Sequence, residues 1–255
     1  EKIPPIQALG KEYFSVPLKT REQDRYRVLA AENNTTVYVT GREPFTIDSG
    51  SFEEFVLAND APVRILADKP VLAAQYSQSN VVDSAFTGGD GDPFMTILST
   101  TEQTVNDVTF VAYQSPELDS VGFEYSGIEK YFINIITEKS NVNNMLLDGQ
   151  PIQDNFIAFP GNDEYAFAQV EIDKGTHRLR NPGSERGFLA YVYGYGGFES
   201  YGYGAGFQLN LTLDIGESPF FEGDTIVFCY GESKLLDAGP NFENYLWNTG
   251  DTTSA

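Results

Sequence analysis

The side chains able to do covalent chemistry are few. The chain has one histidine, His177, and one cysteine, Cys229. A hydrolase triad needs a base beside an activated nucleophile, and no Gly-x-Ser-x-Gly elbow is present to supply one. His177 follows Asp173-Lys174-Gly175-Thr176, a turn feeding a strand, which suits a polar residue bonded to backbone better than a general base. Zinc sites draw on several Cys or His, so one of each excludes them. No Gly-x-x-x-x-Gly-Lys-Ser/Thr cradle for phosphate occurs. A carboxylate pair for glycoside hydrolysis needs only two acids at a set separation, and 37 acids single out no pair. The sequence therefore predicts no catalytic residue and no enzyme.

Oxygen ligands and aromatic rings point to binding instead. Asp90-Gly91-Asp92 puts two carboxylates on one tight loop, which makes Asp90 and Asp92 candidate ligands for calcium, the one cofactor this chemistry suits. Asn162-Asp163-Glu164 gathers acids at another turn, but the full EF-hand pattern is missing. Between Tyr191 and Phe207 glycine alternates with aromatics. There Tyr193, Tyr195, Tyr201 and Tyr203 are candidate platforms for stacking on sugar faces; the same pattern suits a rigid, aromatic-packed closing strand.

Charge narrows the partners. The net charge of −21 argues against nucleic acid, which needs clustered Lys and Arg, and equally against an anionic membrane surface. It suits solubility and resistance to self-association. No apolar run approaches the roughly 18 residues that cross a bilayer. There is no Met start and no leader, as expected of a mature product or an excised fragment. A lone cysteine fits either a reduced compartment or a disulfide partner lying outside the chain.

Strands must position these residues. Hydrophobic content is 41% and aromatic content 14%, with Gly, Tyr and Phe abundant and Met scarce, a composition of strands and turns. Phe14, Leu18, Thr20, Glu22 and Gln23 recur as Phe94, Leu98, Thr100, Glu102 and Gln103, offset by 80 positions. Arg64–Tyr76 is echoed by Arg178–Pro182 and then Gly187–Tyr193, and Tyr26–Glu32 by Tyr131–Glu138. Short strands are predicted at close spacing, among them Tyr13–Leu18, Arg25–Ala31, Val63–Ala67, Val71–Ser77, Tyr131–Thr137, Tyr165–Ile172 and Phe188–Tyr193. In Tyr165–Ile172 the even positions Ala166, Ala168, Val170 and Ile172 are expected inside and Tyr165, Gln169 and Glu171 outside. Phe207–Leu213 reads as a final strand, and no stretch has a helical period.

The expected fold is all-β: two related antiparallel β-sandwich units of jelly-roll type from an internal duplication, then a truncated Ig-like sandwich. The boundaries are 1–88, 89–213, a linker at 214–223 and an incomplete domain at 224–255. That last piece carries Cys229 on an early strand and Trp247 to pack on it, and stops short of closing its own core, so the natural protein is expected to extend further.

Six segments together resemble a known family. Gly10-Lys11-Glu12-Tyr13-Phe14, Asn34-Thr35-Thr36-Val37, Asp68-Lys69-Pro70-Val71, Gly91-Asp92-Pro93-Phe94-Met95, Phe188–Gly194 and Glu199-Ser200-Tyr201-Gly202-Tyr203 look like the IgG-Fc-binding-type N-terminal domain of large Bacteroidetes cell-surface proteins. The resemblance covers about Gly10 to Phe207. Cys229-Tyr230-Gly231, Leu236-Asp237-Ala238 and Tyr245-Leu246-Trp247-Asn248-Thr249-Gly250 are similar to the PKD/Ig-like modules that follow it. The resemblance implies export by a gliding-motility-type, type IX route and a second Cys further along such a module. It also implies O-glycosylation at Asp-Ser/Thr sites, here Ser84, Ser120, Thr225 and Thr252.

The function these readings converge on is a non-enzymatic extracellular adhesion module at the cell surface, with a protein or glycan ligand and the secretion machinery as partners. A carbohydrate-binding module using the four tyrosines is the alternative. A type IX cargo region with no ligand of its own is the third.

Overall fold

The computed structural model describes residues 3–79, 81–82, 91–114, 127–184, 186–197, 199–208, 221–222, 225–226 and 252. The fold is all-β with antiparallel sheets, one of them curled into a half-barrel. Three short 3-10 turns, Ile6–Ala8, Lys139–Asn144 and Gln153–Asn155, are the helical elements among the described residues.

The first copy of the repeat runs through β1 (Gly10–Ser15), β2 (Gln23–Ala30), β3 (Thr35–Val39), β4 (Phe45–Ile47), β5 (Phe52–Ala58), β6 (Val63–Ser77) and β7 (Met95–Ile97). Alternation sets the two faces: Asp24, Tyr26, Val28 and Ala30 of β2 are buried while Arg25, Arg27 and Leu29 are half-buried. β6 is the spine. Its first half is flanked by β3 and β1, its second half by β2 and β7. Two strands were expected where β6 runs unbroken. At Asp68-Lys69-Pro70 the register with β1 jumps from Leu66 to Val71, so the strand bends instead of stopping. The bend curls the sheet around Tyr26, Val28, Val37, Ile65 and Val71.

The second copy comprises β8 (Asp107–Ala112), β9 (Ile128–Glu138), β10 (Leu146–Leu147), β11 (Gln150–Pro151), β12 (Phe156–Ala158), β13 (Tyr165–Glu171), β14 (Gly175–Arg180), β15 (Phe188–Gly196) and β16 (Glu199–Gly204). It forms two sheets, ordered β11-β10-β14-β8 and β12-β13-β9-β15-β16. The first copy repeats this plan as β4-β3-β6-β1 on one half of β6 and β5-β2-β6-β7 on the other. β14 and β15 together correspond to β6, broken at Asn181-Pro182 where the first copy only bends. An ion pair marks the same register twice: Arg64 Nε lies 2.7 Å from Glu12 Oε1, and Arg178 Nε 2.8 Å from Asp107 Oδ1.

Two of the three sequence echoes thus fall on equivalent strands, β2 with β9 and β6 with β14 and β15. The Phe14/Phe94 echo does not. Phe14 lies on β1, whose counterpart is β8, whereas Phe94 leads into β7, whose counterpart is β16. Both segments nevertheless lie along the same side of β6, end to end.

The β13-β9-β15 sheet is buried on both faces. One face packs Ile133, Ile135 and Val192 on Phe110, Met145 and Leu179. The other packs Ile136, Leu189 and Tyr191 on the first copy, where the Phe14 ring sits 4.7 Å from Phe159 and 4.5 Å from Tyr165. Tyr165 and Gln169, expected to face solvent, instead face the first copy, and Gln169 Nε2 donates to the Pro17 carbonyl at 2.6 Å. Glu1–Asn210 is accordingly one compact unit, and β7, beyond residue 88, completes the first sheet. The second unit is Leu211–Ala255, in which β17 (Phe221–Glu222) and β18 (Thr225–Ile226) form a hairpin. Cys229, Trp247 and residues 209–213 of the expected final strand lie outside the described residues.

Candidate functional site

The aromatic strand places its tyrosines in two different environments. Tyr193 and Tyr195 are 1% and 0% exposed, turned towards the first copy. The Tyr193 hydroxyl donates to Asn134 Oδ1 and accepts from the Lys19 amide, both at 3.0 Å. The Tyr195 ring lies under the Arg21 guanidinium, 4.0 Å away. Burial pushes both hydroxyls well above the ordinary tyrosine value. Neither ring can offer a face to a sugar, which corrects that expectation: the alternation with glycine served close packing between copies. Gly202 illustrates it, since a Cβ there would stand 2.1 Å from the Phe94 ring.

Tyr201 and Tyr203 are half-buried on β16, and their hydroxyls close the edge of β8. Tyr203 Oη accepts from the Val111 amide at 3.1 Å and donates to the Val111 carbonyl at 2.7 Å, while Tyr201 Oη accepts from the Tyr113 amide at 3.1 Å. An edge strand whose amides are satisfied this way is closed to pairing with another chain.

The acidic loops are placed apart. Asp92 is exposed, its amide donating to Ser200 Oγ at 3.2 Å, and Asp90 lies outside the described residues. In Asn162-Asp163-Glu164, Asn162 Oδ1 accepts from the Glu164 amide at 2.9 Å, an ordinary turn. Among the described residues no three or more of His, Cys, Asp and Glu are grouped to hold a metal. Of the glycosylation candidates, Ser84 and Ser120 lie outside the described residues, Thr225 is on β18, and Thr252 is exposed.

His177 is structural in its contacts. Nδ1 is 2.6 Å from Asp148 Oδ2, Nε2 is 2.8 Å from the Asp173 carbonyl, and the ring stacks on Phe110. Partial burial pushes the Asp148 carboxyl up, but hydrogen bonds from His177 and the Arg178 amide outweigh it and hold the group below its ordinary value.

One surface went unrecognised in the sequence. The outer face of β5-β2-β6-β7 carries three cross-strand rows: Phe52, Leu29 and Leu72; Glu54, Arg27, Ala74 and Ile97; Val56, Arg25, Tyr76 and Met95. Phe52, Val56 and Met95 are 51%, 39% and 38% exposed. Arg27 lies over the rings of Phe52 at 4.5 Å and Tyr76 at 5.4 Å and binds Glu54 Oε2 through Nη2 at 2.6 Å. Arg25 binds the other Glu54 oxygen. Ile97 carries this face into a cleft of about 300 Å³ whose other walls include Leu98, Ser99, Gln103, Tyr203 and Phe207. The signal was available: Phe52-Glu53-Glu54-Phe55-Val56 and Arg25-Tyr26-Arg27-Val28 leave large apolar and cationic groups on the parity opposite the core.

The sandwich thus presents an arginine–aromatic face beside an apolar cleft, side chains of the kind on which interfaces concentrate their energy. A family model described as IgGFc binding protein matches residues 1–194, and the chain belongs to that family, one of binding domains that are typically extracellular. No curated protein and no solved structure matches the chain. No helix among the described residues is long and apolar enough to cross a membrane.

Proposed function

We propose that this chain is a non-enzymatic adhesion module of a large secreted cell-surface protein, and that it docks an extracellular protein through the outer face of β5-β2-β6-β7. The observation that carries this is the uncovered arginine–aromatic surface. Arg and Tyr are enriched where interfaces concentrate their energy, and these side chains are already held in place. The family description makes an immunoglobulin Fc fragment the first ligand to test. Immobilised chain is exposed to Fc in a biosensor, alongside Arg27→Glu and Phe52→Ser. Loss of binding in both variants, with melting unchanged, supports the reading; a ligand bound equally by all three moves the site elsewhere.

A glycan ligand is the second reading, now resting on Tyr201, Tyr203 and the exposed Tyr113, whose ring meets Tyr201 edge-on at 6.1 Å. A glycan array with Tyr113→Ala decides it, and a blank array removes it. The reading as an exported region with no ligand of its own stands if both assays are blank. Calcium at the Asp90–Asp92 loop and O-glycans at Ser84, Ser120, Thr225 and Thr252 belong to the same proposal. Calorimetry with Ca²⁺ on chelator-stripped protein tests the first. Intact mass of the native protein tests the second.

A further inference from the structure

Arg25 and Arg27 share a single carboxylate. Glu54 takes one Nη of Arg25, and Nε and Nη2 of Arg27 at 3.2 and 2.6 Å. A guanidinium offers five N–H donors in a rigid fork; Glu54 engages one Nη of Arg25, whose side chain is 41% exposed. The charges acting on Glu54 come from Arg25 and Arg27, and those acting on Arg27 from Glu54 and the Tyr76 hydroxyl. The cluster is therefore a positive island of two cations and one anion on a chain of net charge −21. Arg27 is held by two rings and Glu54, so little freedom is lost when it engages a ligand. Apolar groups flank the island on both sides, Phe52 and Val56 on β5 and Met95 and Ile97 on β7, and the cleft opens beyond Ile97.

We infer that the Arg25–Arg27 island is a carboxylate-recognition site, taking an Asp or Glu side chain of the protein partner with a large apolar residue next to it. The inference rests on the docking face proposed above and names the chemistry it selects. The carboxylate meets the open fork of Arg25 in bidentate fashion, and the adjacent apolar side chain lies on Phe52 or enters the cleft. Glu54 orients the arginines and at the same time competes with the incoming acid.

The test uses the whole chain and two small probes, N-acetyl-Glu-Phe-amide and N-acetyl-Gln-Phe-amide, followed by NMR at the arginine Nε–H resonances and at the methyl resonances of Met95 and Ile97. The Glu probe is expected to shift Arg25 and Arg27 and to saturate in the millimolar range, with the Gln probe at least about tenfold weaker. Arg25→Gln should erase that discrimination while the Phe-dependent shifts of Met95 and Ile97 persist. Glu54→Gln should tighten the Glu probe. Equal response to the two probes, or discrimination that survives Arg25→Gln, overturns the inference. Fc binding that depends on Phe52 without any Glu/Gln discrimination would overturn this inference and leave the docking face intact. Discrimination by the dipeptides with no macromolecule bound at the face would do the reverse.

Discussion

The two copies carry the same sheet and treat its outer face in opposite ways. In the second copy that face displays Phe132, Asn134, Ile136, Leu189, Tyr191, Tyr193 and Tyr195, and the first copy lies on it. In the first copy it displays Leu29, Arg25, Arg27, Phe52, Glu54, Val56, Tyr76 and Met95, and no described residue covers it. The covered face is aromatic, and its polar groups are spent on the β1–β2 connection: Asn134 Nδ2 donates to the carbonyls of Val16 and Pro17 at 3.1 and 3.2 Å. The open face keeps its charges in ion pairs that water can reach. Duplication supplied one surface twice; burial turned one into core and left the other exposed.

Breaking the covered face should cost most. Phe132→Ala removes a ring stacked 5.4 Å from Tyr193 and is expected to destabilise the Glu1–Asn210 unit by about 3–5 kcal/mol in denaturant unfolding. Next comes Asp24, fully buried where the copies meet. Its carboxylate accepts from the Leu18 amide at 2.9 Å, Gln75 Nε2 at 2.7 Å and Asn59 Nδ2 at 3.0 Å. Asp24→Ala leaves those donors without their acceptor, an expected loss of about 3 kcal/mol.

Alkaline pH should loosen the same region. Burial raises the hydroxyls of Tyr13, Tyr26, Tyr193 and Tyr195 above their ordinary value. A folded value above the unfolded one means the stabilisation is complete below about pH 10 and is lost as pH rises through the folded values. Melting temperature should hold to about pH 10 and then fall, in step with tyrosinate absorbance. The gentlest change is on the open face: Phe52→Ser should alter unfolding by no more than about 1 kcal/mol while abolishing ligand binding. If Phe52→Ser destabilises as much as Phe132→Ala, the open face is core and the contrast between the copies collapses.

Much of the fold was legible because strands announce themselves locally. Alternation in Arg25–Ala31 and the apolar run at Tyr131–Thr137 gave β2 and β9, and their resemblance to each other correctly paired the copies. The Phe14/Phe94 echo misled because identical residues can serve strands that lie along one spine without being equivalent. Asp68-Lys69-Pro70 reads as a break, yet a proline without an amide is tolerated at a bulge, so β6 continues through it. The site was less legible. Tyr193 and Tyr201 stand in the same glycine–tyrosine rhythm, and only the sheet decides that one points at the first copy and the other at the edge of β8.

By itself the sequence determined the all-β class and the duplication, since composition, period-two alternation and internal echoes are properties of the chain alone. Which of two equivalent faces is hidden, which tyrosines are locked inside, and where two arginines share one glutamate were decided by tertiary structure. The physical reason is that a strand has two sides of equal standing until another sheet is laid against one of them.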